Sequence, residues 1–262
     1  MSDVKSIGAL NRLSAEERLE YVKLMLPPAL FERFAINAND LTDSQGHSLY
    51  QWLGRDTSDV EITLHHQFGA PDPLAYFHLT DTISGQIHVL LSVINDPQSP
   101  RFDVDRMPDG TPTKFGIFQR NVEAEKAAFA AGLAPGQVRR GLRILRESVI
   151  SFEKFISRLG HDMYFVEPLY YHNAVIFERY GFAYQQGRRW MQSLNTRFSD
   201  GGDAFLKLDG STVFRALQAA KTVRGRSWAI HDNVLGEPYT GVTMYKRVGQ
   251  HAGITTFTGE EW

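Results

Sequence analysis

Between residues 60 and 94 apolar and polar positions alternate in short runs. The stretches VEITLHHQF, LAYFHLTDT and GQIHVLLSVIND are rich in β-branched and aromatic residues and are separated by GAPDP and ISG, which predicts an antiparallel meander of three strands. The period before the meander is helical. LSAEERLEYVKLMLPPALFERFAIN opens with Ser14 and Glu17 in capping-box spacing and puts Leu19, Val22 and Leu26 on one face before the break at Pro27-Pro28. Residues 1–59 are therefore read as a helical arm, and residues 60–262 as the main domain.

After the meander, PQSPRFDVDRMPDGTPTKFG has the Pro, Gly and Asp content of a loop or irregular hairpin, and FQRNVEAEKAAFAAGL is built from good helix formers. In QVRRGLRILRESVISFEKFISRLG the residues Leu142, Leu145, Val149, Phe152, Ile156 and Leu159 follow a helical stripe that stops at Gly160. MYFV is an uninterrupted apolar run expected to be a strand buried on both faces, Phe165 included. EPLYYHNAVIFERYGFAY then predicts a short helix from Tyr170 to Tyr180, closed by Gly181 in a left-handed conformation and followed by another strand. Residues 190–235 read as an insertion containing a helix at GSTVFRALQAAK, and GVTMYKRV is a final strand candidate. Meander, helix, strand, helix and strand in that order make an α/β or α+β layered domain.

Composition narrows the function classes. The 262 residues are 42% hydrophobic and 22% charged, an ordinary globular balance with enough apolar material for a sizeable core. The formal net charge is −2 and no long basic block occurs, so the electrostatic footprint expected of a nucleic-acid partner is missing. There is no cysteine, which removes disulfides, thiolate metal sites and cysteine nucleophiles. The first residues lack the order of a signal peptide and apolar runs such as VLLSVI are too short to span a bilayer; the expectation is a soluble cytoplasmic protein with no membrane partner.

Candidate chemistry is sparse. Glu167 lies at the carboxyl end of MYFV, where open α/β sheets place ligands, and is the first choice for a general base; its position before Pro168 equally suits a charge at a helix N-terminus. Asp103 and Asp105 are second choices in a loop whose acidic residues also serve turns. His66, His78 and His88 fall on successive strand candidates, but no HxH or HExxH spacing occurs, and no metal site is assigned. No G-x-S-x-G marks a hydrolase. Trp228 and His231 in GRSWAIHDN either line a pocket or pack a loop.

The stretch APGQVRRGLRILRESVISFEKFISRLGHDMYFVEPLYYHNAVIFERYGF, residues 134–182, resembles the core of the GNAT superfamily of acyl-CoA-dependent N-acyltransferases. There a Gly/Arg-rich turn starts a long helix, a strand follows, and a second helix ends in Gly-Phe. The resemblance implies a GNAT-like mixed, mostly antiparallel sheet flanked by helices. It also implies acetyl-CoA or another acyl-CoA as co-substrate, and direct transfer to a small-molecule or peptide amine in a ternary complex. The turn Val138, Arg139, Arg140, Gly141, Leu142 and Arg143 would hold the diphosphate of CoA, with Gly141 at the close backbone approach. Val138 and Arg143 depart from the family pattern at its two ends. Phe177 stands where the family often has the tyrosine that protonates the departing thiolate. Tyr170 is the nearest alternative acid; it occupies the place of a family Asn that contacts CoA, and Asn173 follows one turn later. Phe177 and Arg143 keep open a second reading, a non-catalytic acyl-CoA or small-ligand binding protein on the same scaffold. A homodimer also stays open.

Overall fold

The computed structural model describes residues 4–54, 57–114, 119–259 and 262. These form an α+β fold: seven strands in a mostly antiparallel sheet, with eight α-helices among the described residues. The chain divides into two compact units. Unit 1 comprises Met1–Gln98, Gly141–Glu167 and Tyr245–His251; unit 2 comprises Ser99–Arg140, Pro168–Met244 and Ala252–Trp262.

In unit 1 the helices are α1 (Ile7–Asn11), α2 (Ala15–Met25), α3 (Pro28–Arg33) and, much later in the chain, α5 (Leu145–Arg158). The strands β1 (Tyr50–Leu53), β2 (Asp59–Leu64), β3 (Ala75–Asp81) and β4 (Ile87–Ile94) pair antiparallel in sequence order. β5 (Met163–Val166) joins parallel to β4, and the C-terminal part of β7 (Thr243–Arg247) lies beyond β5. The meander is where alternation predicts it. The first 59 residues contribute the expected helices and also β1, whose four residues carry too short a pattern to stand out from the arm.

Alternation also decides which face of the unit 1 sheet is dry. Val60, Ile62 and Leu64 of β2 and Ala75, Phe77 and Leu79 of β3 are buried, while the residues between them are half-buried. Val22 and Met25 of α2, with Leu26 at its C-cap, pack over Ile62, Leu64, Ala75 and Phe77, and the Phe152 ring of α5 stacks on Phe77 at 6.1 Å. α2 begins as its sequence dictates: Ser14 accepts from Glu17 N–H, and the Glu17 carboxylate accepts from Ser14 N–H.

Two expectations are corrected here. The long helix starts at Leu145 rather than at the Gly141 turn, because Arg143 sits at φ +61°, a left-handed conformation that no α-helix continues through. Phe165 is half-buried, since β5 alternates: Tyr164 and Val166 face the helices and Met163 and Phe165 the other side.

Unit 2 contains α4 (Val122–Ala130), α6 (Tyr171–Arg179), β6 (Ala183–Gln186), α7 (Arg188–Arg197), three short 3₁₀ segments, α8 (Val223–His231) and the first residues of β7. Its core gathers Val104, Ala128, Leu133, Phe214 and Trp228. α6 ends as expected, with Gly181 at φ +84° and Phe182 N–H returning to the Phe177 carbonyl.

Candidate functional site

The feature of unit 1 that sets it apart from a plain meander is a fork between β4 and β5. β4 carries a one-residue bulge: Val89 pairs with Leu79 and Leu91 with His78, leaving Leu90 as the extra residue. β5 pairs with β4 at only two positions, His88 with Phe165 and Val89 with Val166, and the ladder closes on Glu167 N–H donating to the Val89 carbonyl at 3.3 Å. A bulge bends its strand and increases local twist. The parallel pairing stops at that point, β4 runs on to Ile94, and the chain leaves β5 at Glu167. Past the bulge Leu90, Leu91, Val93 and Ile94 are half-buried and Ser92 is exposed.

The carboxyl end of β4 meets the start of α5. The Gly141 backbone lies beside the Ile94 carbonyl, where a Cβ on Gly141 would meet that oxygen at 3.4 Å, an ordinary contact. Leu142, buried, anchors the turn, while Gly141, Arg143 and Arg146 are exposed. The N-cap residue Ile144 has no side chain able to accept from the first turn of α5, so the amides there are not capped by a side chain. Uncapped amides, the positive end of a helix of 14 residues and exposed guanidinium groups favour an anion at this end, and the exposed Glu147 carboxylate of the same first turn works against one.

At the root of the fork the His88 ring stands edge-on to Phe165 at 6.4 Å, and Phe165 lies 6.3 Å from the Tyr245 ring. His88 Nε2 is sealed from solvent with no hydrogen-bond partner among the described residues, an arrangement that costs roughly 1–3 kcal/mol for a buried polar atom. Burial lowers the His88 pKa below its ordinary value, and the charge of Glu167 pulls the other way. Glu167 itself is exposed. Of the other strand histidines, His78 is held by Asp59 at 2.7 Å and His66 lies just past β2. Among the described residues no group of three His, Asp or Glu side chains is placed to hold a metal ion.

The remaining sequence candidates belong to unit 2. Val138 packs against the aromatic core and its carbonyl accepts from Phe102 N–H. The Arg139 guanidinium donates to the Ser99 carbonyl, and Arg140 to the Ala131 carbonyl at 2.8 Å. Tyr170 caps α6: its N–H donates to Asn173 Oδ1 at 3.2 Å, and its ring stacks on His172 at 5.7 Å and meets His231 edge-on at 5.6 Å. Burial pushes the Tyr170 phenol well above its ordinary pKa, Glu125 adds to the shift and Arg120 opposes it. Asp103 and Asp105 both pair with Arg101. Trp228 is wholly buried, stacked on Phe214 at 4.8 Å with its indole N–H on the Leu133 carbonyl, so it packs the core.

Sequence reasoning missed the polar chain that surrounds these residues. His231 Nε2 lies 2.9 Å from Glu125, and Arg120 bridges Glu125 and Asp232, which also accepts from Thr212 and Arg215. Burial works against the charged form of Glu125, but His231 and Arg120 outweigh it and hold the carboxyl below its usual range. His172 is buried between Ser227 Oγ at 2.8 Å from Nδ1 and Asn173 Nδ2 at 3.2 Å from Nε2. Asn173 Oδ1 already accepts from Tyr170, so its Nδ2 donates and Nδ1–H of a neutral His172 faces Ser227. Only the pairing of a histidine with distant polar residues carries this, and no local motif signals it.

Gly141, Leu142, Arg143 and Glu167 thus fall in unit 1, and Val138, Arg139, Arg140, Tyr170 and Asn173 in unit 2. No helix among the described residues is long and apolar enough to cross a membrane. Comparison of the chain with models of known families, with curated proteins and with solved structures gives no match.

Proposed function

We propose that the protein is an acyl-CoA-dependent N-acyltransferase, with acetyl-CoA or another acyl-CoA as donor and a small-molecule or peptide amine as acceptor. The observation that carries this reading is the fork: β4 and β5 part at a bulge, and the strand that runs on ends beside the Gly141 turn and the uncapped start of α5. An extended, amide-bearing ligand arm with an anionic head fits such a place. The edge of β4 past Val89 offers backbone groups to the arm in the manner of strand addition. The first turn of α5 with Arg143 and Arg146 receives the diphosphate, and Gly141 lets backbone come close to it. Bound there, the thioester supplies an activated acyl group. Backbone donors of β4 polarise its carbonyl, and the exposed Glu167 carboxylate draws the cationic acceptor amine to the site.

A second reading, ligand binding without catalysis, is favoured by two observations in unit 2. Phe177 packs on Phe182 at 4.9 Å where the resembling family often carries an acid, and burial makes the Tyr170 phenol a weaker acid than usual. Departure of CoA as a thiolate needs no acid, since a thiol pKa of about 8.5 makes it only modestly basic. Release of free thiol from acetyl-CoA in the presence of amines separates the two readings.

Calorimetry with CoA tests the site itself. Gly141→Ala adds a methyl at ordinary distance from Ile94 and should keep the fold and most of the affinity. Gly141→Trp should abolish CoA binding with the circular dichroism spectrum retained. Equal affinity for the Trp variant and the unmodified protein would end the proposal.

A further inference from the structure

We propose that His88 is the catalytic base of this protein, taking the proton of the acceptor amine with Glu167 holding the resulting charge; the assignment rests on the acyl-transfer reading above. Two observations outside the sequence motifs lead to it. His88 occupies one of the only two positions at which β4 pairs with β5, one residue before the ladder ends at the bulge. Its Nε2 is sealed from solvent and has no hydrogen-bond partner among the described residues, although buried polar atoms in folded proteins are almost always paired. An unpaired buried imidazole nitrogen at the root of a fork is a group whose partner arrives with a ligand.

The surroundings suit a base. Facing His88 are Thr80, its partner on β3, and Phe165, its partner on β5, neither of which carries a charge. The charged groups near it are Glu167, two positions past Phe165 and on the same side of β5, and, one strand further, Asp59, which is engaged with His78. Burial favours the neutral imidazole, so a lone pair is ready at neutral pH, and Glu167 stabilises the imidazolium once a proton arrives. In the reaction the amine nitrogen forms a bond to the acyl carbon, the carbon–sulfur bond breaks with its electron pair staying on sulfur, and the amine proton passes to the His88 imidazole. The thiolate takes a proton from solvent, and His88, whose ring is only half-buried, returns one to solvent from the edge away from the sealed Nε2.

The test has a readout independent of turnover. In protein labelled with nitrogen-15 at histidine, His88 should titrate below its ordinary value, and Glu167→Gln should move that titration further down. In parallel, His88→Gln, with His88→Asn as the second variant and thermal unfolding as the fold check, should bind CoA within about twofold of the unmodified protein. With acetyl-CoA and spermidine, tyramine or a dipeptide amide as probe amines, its kcat/KM should fall by about a hundredfold or more. Added imidazole should restore part of the rate in His88→Ala. An unchanged rate in the variants, a His88 titration indifferent to Glu167→Gln, or no turnover by unmodified protein that binds CoA would overturn the proposal. Failure of the unmodified protein to bind CoA would instead remove the reading beneath it, and calorimetry reports that separately.

Discussion

Acid should destabilise unit 2 well before its carboxylates titrate, and His172 is the reason. The side chain is 2% exposed, fixed between Ser227 and Asn173, and its pKa is pushed down to about 3 by burial, with the charge of His231 adding to the shift. In the unfolded chain the same group titrates near 6.5. Because the folded value is the lower one, the unfolded state binds the extra proton between the two. Stability is therefore full above about pH 6.5, falls as pH drops, and stops falling once pH passes about 3. The slope approaches about 1.4 kcal/mol per pH unit between the two values, so acidification from about pH 6.5 to about pH 4.5 removes about 2 kcal/mol, a sizeable part of the ~5–15 kcal/mol that holds a typical domain.

The window matters for attribution. Glu125 is also shifted down and contributes in the same direction, but only once pH falls into the ordinary carboxylate range and below it. His88 contributes with the same sign inside the window, so the difference between the unmodified protein and His172→Gln isolates the buried residue. Urea unfolding followed by the fluorescence of the buried Trp228 at about pH 6.5 and about pH 4.5 measures it. The unmodified protein should lose about 2 kcal/mol more than the variant over that interval. Equal losses would refute the reasoning, because a histidine that titrates alike in both states has nothing to link.

Two further substitutions probe backbone in the left-handed region. Gly136 has φ +77°, and a Cβ there would lie 2.4 Å from Tyr170 Cε2 and 2.7 Å from the phenol oxygen, so Gly136→Ala combines left-handed strain with overpacking. It should cost about 2–5 kcal/mol in denaturant unfolding, and an unchanged midpoint would show that the Tyr170 ring is free to move aside. Arg143→Gly should do the reverse: relief of the strain at φ +61°, set against the greater freedom of glycine in the unfolded chain, leaves a gain of about 0.5–1 kcal/mol, whereas a loss would mean that the Arg143 side chain supports the turn.

How much of this was legible depends on how far apart the determining residues lie. The alternation of VEITLHHQF and LAYFHLTDT, the Ser14/Glu17 box and the Gly181 stop are each written within a few residues, and the structure follows them. The start of α5 departs from the sequence pattern for a local reason: Leu142 fits the helical stripe, and a non-glycine residue in the left-handed region leaves no sign in the sequence. His172 and Ser227 are 55 residues apart and meet through the packing of two helices, which no window shows. The fork lies between these cases. A strand position changes face whenever one residue is inserted, so the bulge at Leu90 puts Leu91 opposite His78, on the side shared with His88, where strict alternation would have set it with Val89. An alternating strand that must carry apolar residues on both sides of such a shift reads as an unbroken run. The run VLLSVI, with its doubled leucine after His88, is that trace, and it marks the point at which a meander strand becomes the edge of a fork.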